Sequence, residues 1–330
     1  MPFHGLTTLV TGAGGFIASH LVEALVEQGA HVRAFVRYNA RRDPGMLRLL
    51  PASLLEQVEI IPGDLRDPQA VKDAMQGVAL VLHLGALISI PYSYFHPREV
   101  VETNVMGTLN VLLAARECCV QRLVHTSSSE VYGTARRLPI DEGHPLQGQS
   151  PYSASKIGAD ALADSFYRAF DLPVVTLRPF NTYGPRQSAR AVIPAIITQA
   201  LAAPAVRLGN LEARRDFTYV SDTVQGLLHA ASTPGIEGET IHLGSGDDVR
   251  IGDLARQIID LVGRPVDIVF DPQRLRPEKS EVQRLLSDNR LARQRLGWEP
   301  QVDLTQGLVA TIDWIRRHLE LYQPGSALPL

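Results

Sequence analysis

The feature that most constrains this chain is the glycine-rich turn Thr11-Gly12-Ala13-Gly14-Gly15-Phe16-Ile17-Ala18. It follows a short apolar strand pattern, Thr7–Thr11, and opens an amphipathic helical pattern, Gly15–Gln28, closed by Gly29. A strand that turns this tightly into a helix gathers free N–H groups and the positive end of the helix dipole at one point. Glycines let a pyrophosphate approach that backbone, and a small residue at Ala18 keeps helix and sheet close. The pattern predicts a dinucleotide cradle formed by Gly12, Gly14, Gly15, Phe16 and Ile17.

Further candidate strands are His31–Val36, Val58–Pro62, Leu80–Leu84, Arg122–Thr126 and Val174–Arg178. They are continuous Val, Leu and Ile runs, as in parallel sheets covered on both faces. Between them lie helical patterns at Pro68–Met75, Pro97–Cys118 and Tyr152–Phe170. The alternation predicts an α/β fold, a Rossmann-like doubly wound parallel sheet. After Pro179 the alternation weakens. Val192–Leu201, Ile251–Val262, Asp288–Leu296 and Thr305–Leu319 read as helices, Asp216–Thr233 as strand then helix, and Thr240–Leu243 as one more strand. The expected division is a cofactor domain, 1–179 plus about 215–245, and a smaller substrate domain, about 180–214 plus 246–322, with 323–330 a loose tail.

Hydrophobic residues make up 45% and charged residues 20% of the 330, enough for a buried core, and the net charge of −3 argues against binding to nucleic acid or to an anionic membrane. No apolar stretch is long enough to span a bilayer. Cys118 and Cys119 are adjacent, without metal-ligand spacing, and are expected as buried thiols in a cytoplasmic protein. His31, His83, His125 and His242 lie in or beside strands and are expected to pack.

The second strand ends Val36-Arg37-Tyr38-Asn39, without the acidic residue that would bind a ribose 2′-hydroxyl. A guanidinium there suits a 2′-phosphate, so the reading for NAD(P) favours NADP over NAD, with Arg37 and Asn39 at the ribose. Tyr152-x-x-x-Lys156 places a phenol and an ammonium on one helix face. A phenol titrating near 10 needs a neighbouring cation to serve as a base at neutral pH. The serines Ser127-Ser128-Ser129 follow the preceding strand, where they can hydrogen-bond a substrate hydroxyl.

This combination resembles the extended short-chain dehydrogenase/reductase family, and the resemblance runs over nearly the whole chain. Its further landmarks are Gly63-Asp64-Leu65, His83-Leu84-Gly85-Ala86, Asn104 and Arg178-Pro179-Phe180-Asn181, with Gly85 standing where Ala is commoner. The resemblance implies cofactor contacts at Asp64, Leu65, Leu84, Ala86, Tyr152, Lys156 and Pro179. It implies oxidation of a nucleotide sugar at C4, with Ser128, Tyr152 and Lys156 at the reacting hydroxyl. It also implies a homodimer, in which the helices Pro97–Cys118 and Tyr152–Phe170 pair with a second copy as a four-helix bundle.

The segment Ser128-Ser129-Glu130-Val131-Tyr132-Gly133 narrows the reaction. A 4-keto group acidifies C5–H, and a carboxylate at Glu130 can take that proton and set up loss of the C6 hydroxyl. Related 4,6-dehydratases carry Glu there. Those acting on dTDP-glucose have Asp just before it, where this chain has Ser129. The general acid at C6 is therefore open between Glu130 itself and water held by Ser129. The segments Glu130–Ala135, Pro145–Asp160 and Arg178–Ile197 resemble bacterial 4,6-dehydratases of the legionaminic acid pathway, which act on nucleotide-linked N-acetylglucosamine. The family places substrate contacts at Asn181, Arg186, Val192, Arg215 and Arg276. Two rival reactions share Tyr152 and Lys156: 4-epimerisation, which needs no carboxylate at position 130, and decarboxylation of a UDP-glucuronate.

Overall fold

The structure, a computed structural model, describes residues 2–322, so the tail expected over 323–330 lies outside the described residues. Its centre is a parallel sheet of seven strands: β1 (Thr7–Thr11), β2 (His31–Arg37), β3 (Val58–Gly63), β4 (Leu80–His83), β5 (Arg122–Thr126), β6 (Val174–Pro179) and β7 (Thr240–Leu243). The spatial order is β3-β2-β1-β4-β5-β6-β7. It reverses direction between β1 and β4, which opens a crevice at the C-terminal ends of those strands.

Alternate strand residues supply the two faces. Val10, Val32, Leu82, Val124 and Val175 pack against Leu21 and Leu25 of helix Phe16–Glu27 and Leu227 of helix Val220–Ser232. Leu9, Phe35, Val81, Leu123 and Val174 pack on the other side against Met75, Leu112, Ala163 and Phe166. Both faces are covered, which is why the strands read as unbroken apolar runs rather than alternating ones. Helix starts follow local chemistry. The Asp67 carboxylate accepts from the Gln69 and Ala70 amides before Pro68, and Gly29 leaves the first helix at φ +80°.

The long helix expected over Pro97–Cys118 is interrupted. Helical segments Pro97–Val101 and Gly107–Glu117 flank a wider π turn, Glu102–Met106. The turn delivers the Asn104 side chain to the site, where it bonds the Leu87 amide (2.7 Å), the Leu87 carbonyl and Ser155 Oγ (both 2.9 Å). Gly107 lets the helix close on Leu65: a Cβ there would lie 2.9 Å from Leu65 Cβ.

A second apolar core, apart from the sheet, joins Tyr183, Ile193, Ile197, Val206, Leu254, Ile258, Leu308 and Ile312. Its helices are Val192–Ala202, Ile251–Val262 and Leu304–Arg317, with a parallel strand pair Ala205–Leu208 and Asp267–Phe270 that the sequence pattern did not reveal. Two expectations are corrected. Cys118 is half-buried and Cys119 exposed, because the helix ends at Glu117 and Cys119 turns out at φ +53°. His31 is exposed at the start of β2, whereas His83, His125 and His242 are buried. Among the described residues no helix is long and apolar enough to cross a membrane.

Candidate active site

The glycine turn is built by close backbone contact. Gly12 takes φ +67°, and a Cβ on it would stand 2.7 Å from Gly85 Cα, so the turn and the end of β4 meet backbone to backbone. Gly85 is itself enclosed: its own Cβ would lie 2.7 Å from Leu65 Cδ1. The Gly14 carbonyl accepts from the Met46 amide at 2.9 Å. No side chain caps Gly15 at the start of helix Phe16–Glu27, which leaves that helix end for a ligand. These features fit a dinucleotide pyrophosphate. Leu84 and Ala86 follow β4, beside β1, while Leu65 follows β3 and Pro179 closes β6.

The rim at the end of β2 is polar. Asp64 is gripped by Arg66 through its backbone N–H (2.9 Å), Nε (3.0 Å) and Nη2 (2.6 Å), and those hydrogen bonds hold its carboxyl below the usual range. The Asn39 side chain is spent on its own loop, bonding the Asp43 backbone at 2.8 and 3.0 Å. Arg37 Nη2 lies 3.2 Å from Glu99 Oε1.

Helix Pro151–Phe170 starts with a Ser150/Ser153 capping box, so Tyr152 falls in its first turn and Lys156 in the next. Both are buried, 6% and 4% exposed. Lys156 Nζ donates to the Thr126 carbonyl at 2.7 Å, at the end of β5. Burial pushes the Tyr152 phenol up to about 12; a hydrogen bond with Ser128 opposes this and the charges of Glu130 and Asp160 add to it. Burial pulls the Lys156 ammonium down to about 8, against the pull of Asp160. Unaided, Tyr152 stays a phenol at neutral pH; a further positive charge beside it is required for it to act as a base. A chain of hydrogen bonds ties this helix to the glycine turn: Thr11 Oγ1 to His83 Nδ1 (2.7 Å), His83 Nε2 to Thr108 Oγ1 (3.0 Å), Thr108 Oγ1 to the Asn104 carbonyl (2.6 Å), and Asn104 on to Ser155.

Behind the pair, Asp160 lies on the same helix face one turn beyond Lys156. Its carboxylate accepts from His125 Nε2 (3.0 Å), Ser127 Oγ (2.8 Å) and Arg178 Nε (3.0 Å). Against the upward push of burial, His125 and then the charges of Arg178 and Lys156 hold it below the usual carboxylate range. Arg178 Nη1 also donates to Tyr132 Oη at 2.7 Å, which is 2.5 Å from His242 Nε2. The sequence reading missed Asp160; its spacing of four from Lys156 was the available signal.

In front, Ser128 Oγ accepts from the Glu130 amide at 3.2 Å and caps a single turn, Ser129–Tyr132, in which Ser129 is buried. Glu130 Oε1 faces Arg276 Nη1 at 3.8 Å, and Arg215 Nη2 faces Glu281 Oε1 at 3.5 Å. Burial pulls the Arg215 guanidinium down, with the Glu130 charge opposing. Arg276 Nη1 is buried without a hydrogen-bond partner. Glu281 is a second functional candidate that the sequence reading did not raise. Arg276 sits on a loop pinned by Ser280, whose Oγ donates to the Gln149 carbonyl and meets Tyr94 Oη, both at 2.6 Å. Asn181 Nδ2 donates to the Asp216 carbonyl at 3.0 Å, next to Arg215, and Val192 is half-buried at the start of its helix. Arg186 is not brought to this cluster. It pairs with Glu23 of the first helix at 2.7 Å, with φ +68°.

A Rossmann-like sheet, a glycine cradle at its crevice, and a buried Tyr-x-x-x-Lys pair define the extended short-chain dehydrogenase/reductase class of NAD-dependent epimerases and dehydratases. Within that class the chain belongs to the family described as GDP-mannose 4,6 dehydratase, whose model matches residues 9–311. A UDP-glucose 4-epimerase of Mycolicibacterium smegmatis is 32% identical, over 94% of this chain and 99% of the relative. A dTDP-glucose 4,6-dehydratase of Streptomyces antibioticus is 33% identical, over 98% and 96%. Among solved structures, the dTDP-glucose 4,6-dehydratase DesIV of Streptomyces venezuelae, with NAD bound, superimposes with a TM-score of 0.86 at 29% identity, covering 97% of this chain and 99% of that one.

Proposed function

We propose that this protein is a nucleotide-sugar 4,6-dehydratase. The observation that carries this reading is the Glu130 carboxylate, 13% exposed and held only at 3.8 Å by Arg276, in front of the Tyr152–Lys156 pair. Among the described residues no side-chain hydrogen bond holds its oxygens, which leaves them open to a substrate. Dehydratases among the relatives support the reading. Epimerases of equal similarity keep 4-epimerisation as the second reading, which leaves Glu130 without a role.

Gly12, Gly14, Gly15, Phe16 and Ile17 would hold the cofactor's pyrophosphate, with Leu65, Leu84, Ala86 and Pro179 along the crevice. Bound there, the nicotinamide would accept hydride from C4, return it at C6, and supply the positive charge that Tyr152 lacks. Tyr152 takes the C4 hydroxyl proton, with Ser128 bonding the same oxygen and Lys156 stabilising the phenolate. Glu130 removes the C5 proton, acidified by the 4-keto group. The C6 hydroxyl leaves as water, its proton supplied by Glu130 directly or through water held at Ser129. A solvent-derived proton then returns to C5 as hydride arrives at C6. The product is a 4-keto-6-deoxy sugar, with no net oxidation.

Arg215 and Arg276 are proposed at the substrate diphosphate, where guanidinium groups bond phosphate oxygens in pairs, with Asn181 and Val192 nearby. Arg186, engaged by Glu23, would act from beside the first helix rather than from this cluster. The segments shared with legionaminic acid dehydratases support UDP- or GDP-N-acetylglucosamine, or a related hexose, as substrate. Arg37 without a carboxylate at the end of β2 supports NADP. Domain division follows the two cores, with the sheet holding the cofactor and the C-terminal core the nucleotide sugar. Exposed Val101, Met106, Leu113 and Phe170 support a homodimer through the helical stretch 97–118 and helix Pro151–Phe170, and the free Cys118 and Cys119 support a cytoplasmic setting. Mass spectrometry on a panel of nucleotide sugars tests the reaction: a product lighter by one water supports it, and an isomer of unchanged mass would replace it with epimerisation.

A further inference from the structure

The β2 end carries Arg37 but no carboxylate, yet a carboxylate does reach it. Glu99, on the short helix Pro97–Val101 beyond β4, places Oε1 3.2 Å from Arg37 Nη2. Its other oxygen accepts from Tyr92 Oη at 2.5 Å. Glu99 is therefore fixed from two sides and not a freely swinging surface acid. Those two contacts, Tyr92 first, hold it below the ordinary carboxylate range, so it is anionic at neutral pH. Two of the neighbouring groups are already committed, while Arg41 and Arg42 in the following loop are exposed. Arg66 is bound to Asp64, and the Asn39 side chain is bound within its own loop. Arg37 is the cation on β2 itself that a ribose 2′-phosphate would meet, and Glu99 occupies it.

We propose that Glu99 is a selectivity-determining residue for the cofactor, competing with a ribose 2′-phosphate for Arg37 and so limiting the preference for NADP over NAD. The inference rests on the nicotinamide-dinucleotide reading and not on dehydration. A bound 2′-phosphate must displace the carboxylate from Arg37 and stand beside a negative charge. A 2′-hydroxyl faces neither cost. The helix Pro97–Val101 thus brings in, from far along the chain, a carboxylate of the kind that the second strand lacks.

The test is equilibrium titration of the purified full-length chain with NADP and with NAD, read by intrinsic tryptophan fluorescence or calorimetry without any sugar. Glu99→Gln is expected to raise the ratio of NADP to NAD affinity about five-fold, the scale of a largely exposed charge pair. Tyr92→Phe, which frees the carboxylate from its second anchor, is expected to move the ratio the same way by less. In an Arg37→Met background only the charge repulsion remains, and Glu99→Gln is expected to give a clearly smaller gain. An unchanged ratio in Glu99→Gln would overturn the proposal, as would an equal gain in the Arg37→Met background. If Glu99→Gln fails to fold, Glu99→Asp, with a shorter reach, is expected to give a smaller gain of the same sign, and its absence would count equally against the proposal. Loss of binding of both nucleotides by the unaltered chain would defeat the cofactor reading itself. An isomerised sugar product would defeat dehydration alone and leave this proposal standing.

Discussion

The two walls of the candidate site are built on opposite principles. Behind Tyr152 and Lys156, Asp160 accepts from His125, Ser127 and Arg178 at 2.8–3.0 Å, and Arg178 and His242 both reach Tyr132. In front, Glu130 and Arg276 stand 3.8 Å apart, Arg215 and Glu281 3.5 Å apart, and Arg276 keeps a buried nitrogen without a partner. The rear wall is densely hydrogen-bonded, although His125 Nδ1 and His242 Nδ1 there are also buried without a partner, and such a network rigidifies; the longer ion pairs of the front wall leave its charges open to a ligand. The rear wall therefore holds the helix that carries the proposed catalytic pair, and the front wall is the side open to charge and to a proton.

The sharpest way to break this division is at the boundary. Tyr152→Phe removes the group proposed to take the C4 proton and should lower kcat by about 10³-fold or more, with thermal unfolding unchanged. Next in size, Asp160→Asn strands the Arg178 guanidinium in the interior. Unfolding in urea should show a loss of about 3–5 kcal/mol, because an uncompensated buried charge remains. A loss that small substitutions at the front wall also produced would erase the distinction.

Acidity should separate the walls as well. Burial, with the charge of Arg178, pulls His242 down to about 3, against 6.5 for the free side chain. Its folded value lies below its unfolded value, so the unfolded chain binds the extra proton first. The stability held by neutral His242 is complete above pH 6.5 and is lost as pH falls toward 3, roughly 2 kcal/mol by pH 5. His83 and His125 are shifted the same way by burial and add to it. Urea midpoints at pH 7 and pH 5 should fall accordingly, and a midpoint independent of pH would place charge rather than neutral histidine in that wall. Smallest is Arg276→Met, which should raise KM for the nucleotide sugar about ten-fold and leave stability within about 0.5 kcal/mol.

The sheet and the placement of the glycine turn and the Tyr152–Lys156 pair were legible because their signals are local. Gly12 and Gly15 sit between one strand and one helix, and Tyr152 and Lys156 share one helix turn. Each central strand was found within a residue or so, since a buried parallel strand advertises itself as an apolar run. What escaped depends on contacts between distant segments. Asp160 meets Arg178 only once the helix Pro151–Phe170 packs against β6. Glu99 meets Arg37 only across the sheet crevice. The π turn at Glu102–Met106 follows from where Asn104 must bond, not from its own composition. Arg186, grouped in the sequence reading with Arg215 and Arg276, is drawn to Glu23 because its loop folds back on the first helix.

The measurement that bears most directly on the account is product analysis in heavy water with the unaltered chain and Glu130→Gln side by side. The account predicts that the unaltered chain releases one water, places one solvent deuterium at C5 and carries the C4 hydrogen to C6, while Glu130→Gln loses about 10²-fold or more of that rate and keeps its stability. Glu130→Gln that dehydrates at the unaltered rate, or an unaltered chain that inverts C4 without touching C5, would contradict it.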